Sequence, residues 1–415
     1  MEVGVSFEVW WLILIPIVFA LGWIAARVDF RQMLSETKQL PDSYFRGLNF
    51  LLNEDHDKAI DAFIEVAKLD TETTELHFAL GNLFRRRGEI ERAIRVHQSL
   101  LNRADLPLKD QEQALYQIGQ DFFKAGMFDR SEEAFQKVMD SQSYSVAATR
   151  NLIRIYESVH DWPKAIEAVT RLQALLNESV PALIHYHCEL AEQALLAKPA
   201  NLAEVIKHLD QAEHALQTNF SEEHTEASVA RIMMLRADVA TLQGQPENQR
   251  MQLESVLREA PTYSSLVAEK LLQNYQSTGE LKQGLHLLAK HFEEHFSLDL
   301  FVTLLKHYRL DGNDEAARCF AAGALRENPT LLGLSKFLES EINVQKQIEQ
   351  PEDAESTALA EILDINYLHK IIHKHAQRLD RRECRACGFQ AQSFYWQCPG
   401  CNQWETYSTQ RLEGK

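Results

Sequence analysis

Residues 81–100 read GNLFRRRGEIERAIRVHQSL. A glycine opens the stretch, an aromatic follows three residues on at Phe84, a small residue at Ala93 and a bulkier one at His97. The same order recurs from Gly47 (Phe50, Ala59, Phe63), from Gly119 (Phe122, Ser131, Phe135) and from Ile153 (Tyr156, Ala165, Val169). Successive registers lie 34, 38 and 34 residues apart, and the longer step holds the Pro-bearing insert Arg103–Leu108.

A period near 34 with this punctuation is that of tetratricopeptide repeats. The small residues let two helices of a hairpin approach, and the aromatic fills the wedge between successive hairpins. Heptads lack such punctuation, which sets aside a generic helical bundle. The pattern returns at Ala237, Ala240, Gly244, Leu253 and Pro261, then at Leu272, Tyr275, Gly279, Gly284 and Leu288. It returns again at Leu305, Tyr308, Gly312, Ala317, Ala321, Ala324 and Pro329. Residues 183–218 read as a degenerate unit with an insertion near Lys198–Asn201. The expectation is an all-α repeat solenoid over residues 41–340 with about eight units.

Bulk composition agrees. The 415 residues are 45% hydrophobic and 25% charged, enough apolar surface for a core. Only 16 Gly and 11 Pro favour helix over turn-rich β structure. A net charge of −17 argues against nucleic acid as partner, since phosphate binding needs a concentrated basic face.

The run Val9–Ala26, VWWLILIPIVFALGWIAA, contains no charged residue and carries tryptophans at both ends. It is long enough to cross a bilayer, with Trp10, Trp11 and Trp23 at the interfaces. No Lys or Arg precedes it and the apolar run continues past Ala20-Leu21-Gly22, which argues against a cleaved signal peptide. Arg27, Arg31 and Lys38 follow, so the positive-inside rule puts the rest of the chain in the cytoplasm. Residues 1–30 are thus expected to form a single signal-anchor transmembrane helix.

A solenoid presents a concave surface for other polypeptides and no catalytic pocket of its own. In the first four units, Asn82, Arg85, Arg86, Tyr116, Gln120, Lys124, Arg150 and Arg154 fall on that inner face. Five of them are basic, a groove suited to an acidic segment of a partner. No phosphate-binding glycine loop, paired-carboxylate motif or nucleophile elbow is present, so the expected function is non-enzymatic.

Beyond the repeats, residues 341–357 read as an acidic linker around Pro351, and a helix follows from about Ala358 to Arg378. Leu359, Ile362, Leu363, Leu368, Ile371 and Ile372 mark its apolar side, and its far end is basic. His369, His373 and His375 lie there too and read as surface residues. Then come Cys384-Arg-Ala-Cys387-Gly388 and Cys398-Pro-Gly-Cys401, two matched knuckles whose four thiolates complete a tetrahedral metal site. Zinc or iron would serve such a set. Phe389, Phe394, Tyr395, Trp396, Trp404 and Tyr407 are expected to form its small apolar core, with metal supplying the remaining stability. Cys188 and Cys319, within repeat helices, read as buried small hydrophobes.

The ordered combination of anchor, repeats and C-x-x-C-G…C-P-x-C knuckles resembles the lipopolysaccharide assembly protein B family of Gram-negative bacteria, over essentially the whole chain. The knuckles look like the rubredoxin pattern, so the resemblance implies a rubredoxin-type metal domain over residues 358–415, with Cys384, Cys387, Cys398 and Cys401 as ligands. It tilts the metal toward iron, with zinc possible. The spacer between the knuckles is shorter than in an electron-transfer rubredoxin, which favours a structural or docking role.

The resemblance further implies an inner-membrane adaptor that regulates lipid A synthesis. In that reading it promotes proteolysis of the committed-step deacetylase by the membrane AAA+ protease FtsH, and helps organise other lipopolysaccharide assembly proteins. The rival readings are an electron-transfer protein built on Cys₄ iron and a zinc-ribbon nucleic-acid binder, the latter opposed by the overall acidity.

Overall fold

A computed structural model describes Phe19, Trp23 and residues 42–414, except 54, 70–73, 177–179, 219–224 and 349–357. Apart from those first two positions, the expected transmembrane segment lies outside the described residues. Among the described residues, no helix is long and apolar enough to cross a membrane.

From Asp42 to Glu327 the chain is a succession of helical hairpins. They are α1 (Asp42–Leu52) with α2 (His56–Leu69), α3 (Thr74–Arg87) with α4 (Ile90–Leu101), and α5 (Leu108–Lys124) with α6 (Phe128–Val138). Next come α7 (Ser145–Val159) with α8 (Trp162–Leu176), α9 (Ala182–Leu196) with α10 (Leu202–Thr218), and α11 (Thr225–Leu242) with α12 (Pro246–Glu259). The last hairpins are α13 (Ser264–Ser277) with α14 (Leu281–Glu294), and α15 (Leu298–Leu310) with α16 (Asp314–Glu327). Helices α17 (Leu331–Ile348) and α18 (Ala358–Ala376) then pack on each other before the cysteine module. Helix α17 runs into the stretch read as linker, because no helix breaker appears before Pro351. The chain divides into two compact units, Met1–Ala148 and Thr149–Lys415.

In the first unit the repeat punctuation has a direct steric cause. A Cβ on Gly47 would stand 2.8 Å from the ring of Phe63, and one on Gly119 would stand 2.8 Å from the ring of Phe135. At Gly81 the corresponding residue is His97, whose ring would be 2.4 Å from an added Cβ. The glycine opening each repeat is therefore the seat of the ring sixteen residues later. Both phenylalanines are fully buried, and truncating such a ring costs about 3–5 kcal/mol. Ala59, Ala93 and Ser131 are also fully buried, as close helix approach requires.

The second unit shows the complementary solution. Its opening position is Ile153 and the residue sixteen on is the smaller Val169, both buried, so bulk has moved from one partner to the other. Its principal core extends from Ala227 to Ala324 and includes Leu253, Leu271, Leu272, Leu288 and the rings of Phe292 and Phe301. Cys188 lies in a neighbouring cluster with Val205 and Leu209. Cys319 does not follow the expectation of burial and is exposed. The buried stripe of α16 is Ala317, Ala321 and Ala324, and Cys319 projects away from it.

The candidate metal centre and the surface that holds it

The two knuckles are built alike. Cys384 N–H donates to Phe389 O and Cys398 N–H to Gln403 O, both at 2.9 Å. At the end of each loop the chain passes through the left-handed region, at Gly388 (φ 73°) and at Asn402 (φ 56°). Those residues close the loops by donating back to Cys384 O (3.0 Å) and Cys398 O (2.8 Å). Asparagine tolerates this conformation better than most side chains, which explains how the second knuckle turns without a glycine there. Gly400 answers a different need. A Cβ on it would lie 3.0 Å from Phe389 Cβ and 3.2 Å from Cys387 Sγ.

The four Sγ atoms lie within 4.8 Å of one another. Cys384 and Cys401 are 3.8 Å apart, Cys387 and Cys398 3.6 Å. A tetrahedron with metal–sulfur bonds of about 2.3 Å has edges of about 3.8 Å, so the sulfurs fit a Cys₄ ion. Their acidities point the same way. Burial works against a Cys384 thiolate, but Thr406 and the N–H groups of Cys387 and Ala386 outweigh it and bring its pKa to about 6. Burial, with Cys384 and Cys387 close by, pushes Cys398 up to about 12. Thiolates this close cannot all ionise without a cation among them. Tetrahedral S₄ geometry suits zinc and iron alike.

Around the site runs a minimal scaffold. Strands β1 (Arg382–Glu383) and β2 (Gln390–Ala391) pair antiparallel, Cys384 bridges Tyr407, and Gln397 bridges Trp404. Tyr407 is buried and donates to Arg382 O at 3.0 Å. The expected internal core is there in part: Phe394 packs on the cluster of Cys384, Cys398 and Tyr407, and Tyr395 meets the Tyr407 ring edge-on at 5.6 Å. Phe389 and Tyr395 are exposed, while Phe394, Trp396 and Trp404 face the repeat helices. A module this small has too little interior to bury six rings, so three of them serve as its contact with the second unit.

That contact is extensive. Trp404 stacks on His185 at 4.8 Å with 3° between planes and donates its indole N–H to Glu157 at 2.9 Å. Glu405 sits 2.7 Å from His185 Nε2 and accepts from Ser228 at 2.8 Å. Trp396 stacks on Tyr263 at 5.6 Å, and Phe394 meets the same ring edge-on. Between the two tryptophans lies Arg231, its guanidinium 5.5 Å from one ring and 5.6 Å from the other. Arg231 is 2% exposed and donates to Glu189 at 2.6 Å, so a buried cation is both paired and faced by π clouds. Burial is also the main influence on two acid–base groups beneath Trp404. It raises Glu157 and lowers His185, each opposed by its hydrogen-bond partners.

A second anchor involves Asp299 in the first turn of α15. It accepts from Arg382 at 2.8 Å and from Arg411 at 2.7 Å. Arg382 is buried and also donates to Thr409 O and Gln392 O. Near the C-terminus the Glu413 carboxylate accepts the N–H groups of Leu331 and Leu332, 2.6 Å in the latter case, capping α17. None of Arg231, Asp299, Glu405, Arg411 or Glu413 stood out in the sequence. Arg231 left one trace, a lone cation inside the otherwise uncharged run Ala227–Leu235.

The residues expected to line a partner groove divide between the units. In the first, Arg85 donates to Asp121 at 2.8 Å, to Gln117, and to Asn82. Asp121 is fully buried and also 2.5 Å from His97 Nδ1, so Arg85 belongs to an internal polar cluster and is not an open cation. Tyr116 and Gln120 are half-buried and hydrogen-bonded to each other at 2.9 Å, while Arg86 and Lys124 are exposed. In the second unit Arg150 and Arg154 are exposed on α7.

In α18 the structure also revises the expected apolar side. Leu368 and Ile371 are exposed, and Ala376 with half-buried His369, Ile372 and His373 forms the inward side.

Known families bear out both halves of this architecture. A family described as a rubredoxin metal binding domain, of the zinc-ribbon kind, matches residues 383–407, and a tetratricopeptide repeat family matches residues 46–105. Lipopolysaccharide assembly protein B of Escherichia coli K12 is 31% identical over 396 residues, covering 95% of this chain and 96% of its own. Its counterpart from Haemophilus influenzae is 26% identical over 404 residues with the same coverage. A likeness that runs unbroken through repeats and knuckles alike makes the chain a member of the lipopolysaccharide assembly protein B family.

Proposed function

We propose that the protein is a non-enzymatic adaptor in lipopolysaccharide assembly, held by residues 9–26 in the inner membrane with its repeats and metal module in the cytoplasm. It brings the lipid A deacetylase to the membrane AAA+ protease FtsH and so limits the committed step. The observation that carries this reading is the 31% identity over 95% of the chain to a protein named for lipopolysaccharide assembly. A repeat solenoid supplies the means, because its surface suits extended polypeptides. A shared two-dimensional anchor raises the local concentration of client near protease without new chemistry. The Cys₄ ion would hold the module in shape and supply no reaction step.

Affinity purification of the full chain from its own membranes tests the proposal. Co-purification of the protease and the deacetylase is the expected result. Recovery of redox partners together with a reducible iron chromophore would replace it with electron transfer. Arg86→Glu with Lys124→Glu, and separately Arg150→Glu with Arg154→Glu, should weaken client capture while helicity by circular dichroism stays unchanged. Capture that survives both pairs would remove these cations from the recognition surface.

A further inference from the structure

Helix α18 has two sides of different character. On the inward side, Ala376 is fully buried in a cluster with Leu298 and Leu332, and His373 lies beside Ser335 of α17. On the outward side Tyr367 is 65% exposed, Leu368 52% and Ile371 43%. Lys370, Lys374 and Arg378 are exposed among them, and Arg381 just beyond. At about 100° per residue, Tyr367, Ile371 and Lys374 share one strip, with Leu368 and Lys370 on its flanks and Arg378 just past the helix end at Ala376. No Asp or Glu occurs from Ile365 to Leu379, in a chain whose net charge is −17.

A single exposed apolar residue needs no explanation. Three within one turn on the outward side, among cations and with no acid between Ile365 and Leu379, have the composition of a helix lying on an anionic bilayer. There the apolar side chains enter the headgroup boundary while Lys and Arg meet phosphates. An acidic protein would answer the cations alone. The tyrosine beside two aliphatics favours lipid, because an amphipathic ring is stabilised at headgroup depth.

We propose that the outward side of α18, continued by Arg378 and Arg381, is a membrane-contact surface for anionic lipid headgroups. The inference rests on the reading of residues 9–26 as an anchor, which tethers the chain to a bilayer. The local positive charge of this surface then works against the repulsion that a −17 protein meets at an anionic leaflet.

The test reconstitutes the full chain in nanodiscs of phosphatidylcholine alone or with phosphatidylglycerol, and reads side-chain access by covalent footprinting and mass spectrometry. Labelling of Tyr367, Leu368 and Ile371 should fall severalfold on the anionic discs only. It should recover in K370Q/K374Q/R378Q, each lost charge weakening surface binding by about fivefold. Unchanged metal content per chain in that variant shows that the neighbouring module is still folded. A chain that enters both discs with equal, unprotected labelling overturns the surface and leaves the anchor standing. A chain that joins neither disc overturns both. Protection that appears only when a client protein is added, and equally on both discs, overturns lipid in favour of a protein partner.

Discussion

The first helices of the repeats have different fates in the two units. In the first unit, α3 and α5 turn Arg86 and Lys124 to solvent, and Arg85 and His97 both pair with the buried Asp121 inside the repeats. In the second, α7, α9, α11 and α15 supply Glu157, His185, Arg231 and Asp299 to the chain's own metal module. The repeat makes the same kind of surface twice, and among the described residues only the second is filled by the chain itself. The contrast teaches that the groove chemistry of a solenoid is not in itself a sign of a foreign ligand. Polar and aromatic residues on inner helices can be there for a partner encoded further along the same chain.

Breaking the metal site should distinguish the units most sharply. Cys384→Ser with Cys387→Ser removes an ion whose binding is worth on the order of 10 kcal/mol in comparable zinc peptides. The module should unfold, while α3–α6 keep their helicity. Metal analysis and circular dichroism would check this.

Arg231→Ala comes next. It strips a buried cation from between two tryptophans and leaves Glu189 unpaired, at a cost of about 3 kcal/mol. That is the low end for a buried pair, because Glu189 keeps partial access to water. Denaturant unfolding followed by tryptophan fluorescence would read it.

Asp299→Asn weakens both arginine contacts of the second anchor and should cost about 2 kcal/mol. Gly119→Ala, in the first unit, should cost about 1–3 kcal/mol by forcing the Phe135 ring aside, with no change in metal content.

The smallest effect at neutral pH concerns His187. Burial, and then His208, hold its pKa at about 4 against an ordinary 6.5. The folded state therefore binds this proton less well than the unfolded chain. The stability tied to neutral His187 is whole above about pH 6.5 and is lost as the pH falls through about 4. His187→Gln should flatten that part of the acid unfolding curve and leave the neutral region nearly unchanged.

Much of this architecture was legible in the residues. Gly81, Ala93 and His97 mark one repeat because a ring must lie on a glycine and two helices must touch. The paired C-x-x-C spacing fixes the four sulfurs for an equally local reason. What escaped depends on distant partners. Trp396 and Trp404 were legible as apolar but not in their direction, since the surface that receives them comes from residues more than a hundred positions earlier. Arg85 reads as an open cation until Asp121, on another helix, is seen to hold it. Leu368 and Ile371 fit an amphipathic pattern, yet α17 packs on the side given by His369, Ile372, His373 and Ala376.

The account stands on the metal module being a docked part of the second unit. Hydrogen exchange of the whole protein before and after the metal is stripped addresses this most directly. Exchange should rise in residues 382–411 and also in α9, α11 and the start of α15, while α3–α6 of the first unit stay as protected as before. Faster exchange confined to residues 382–411, with α9 and α11 unmoved, would contradict it and make the knuckle a tethered appendage.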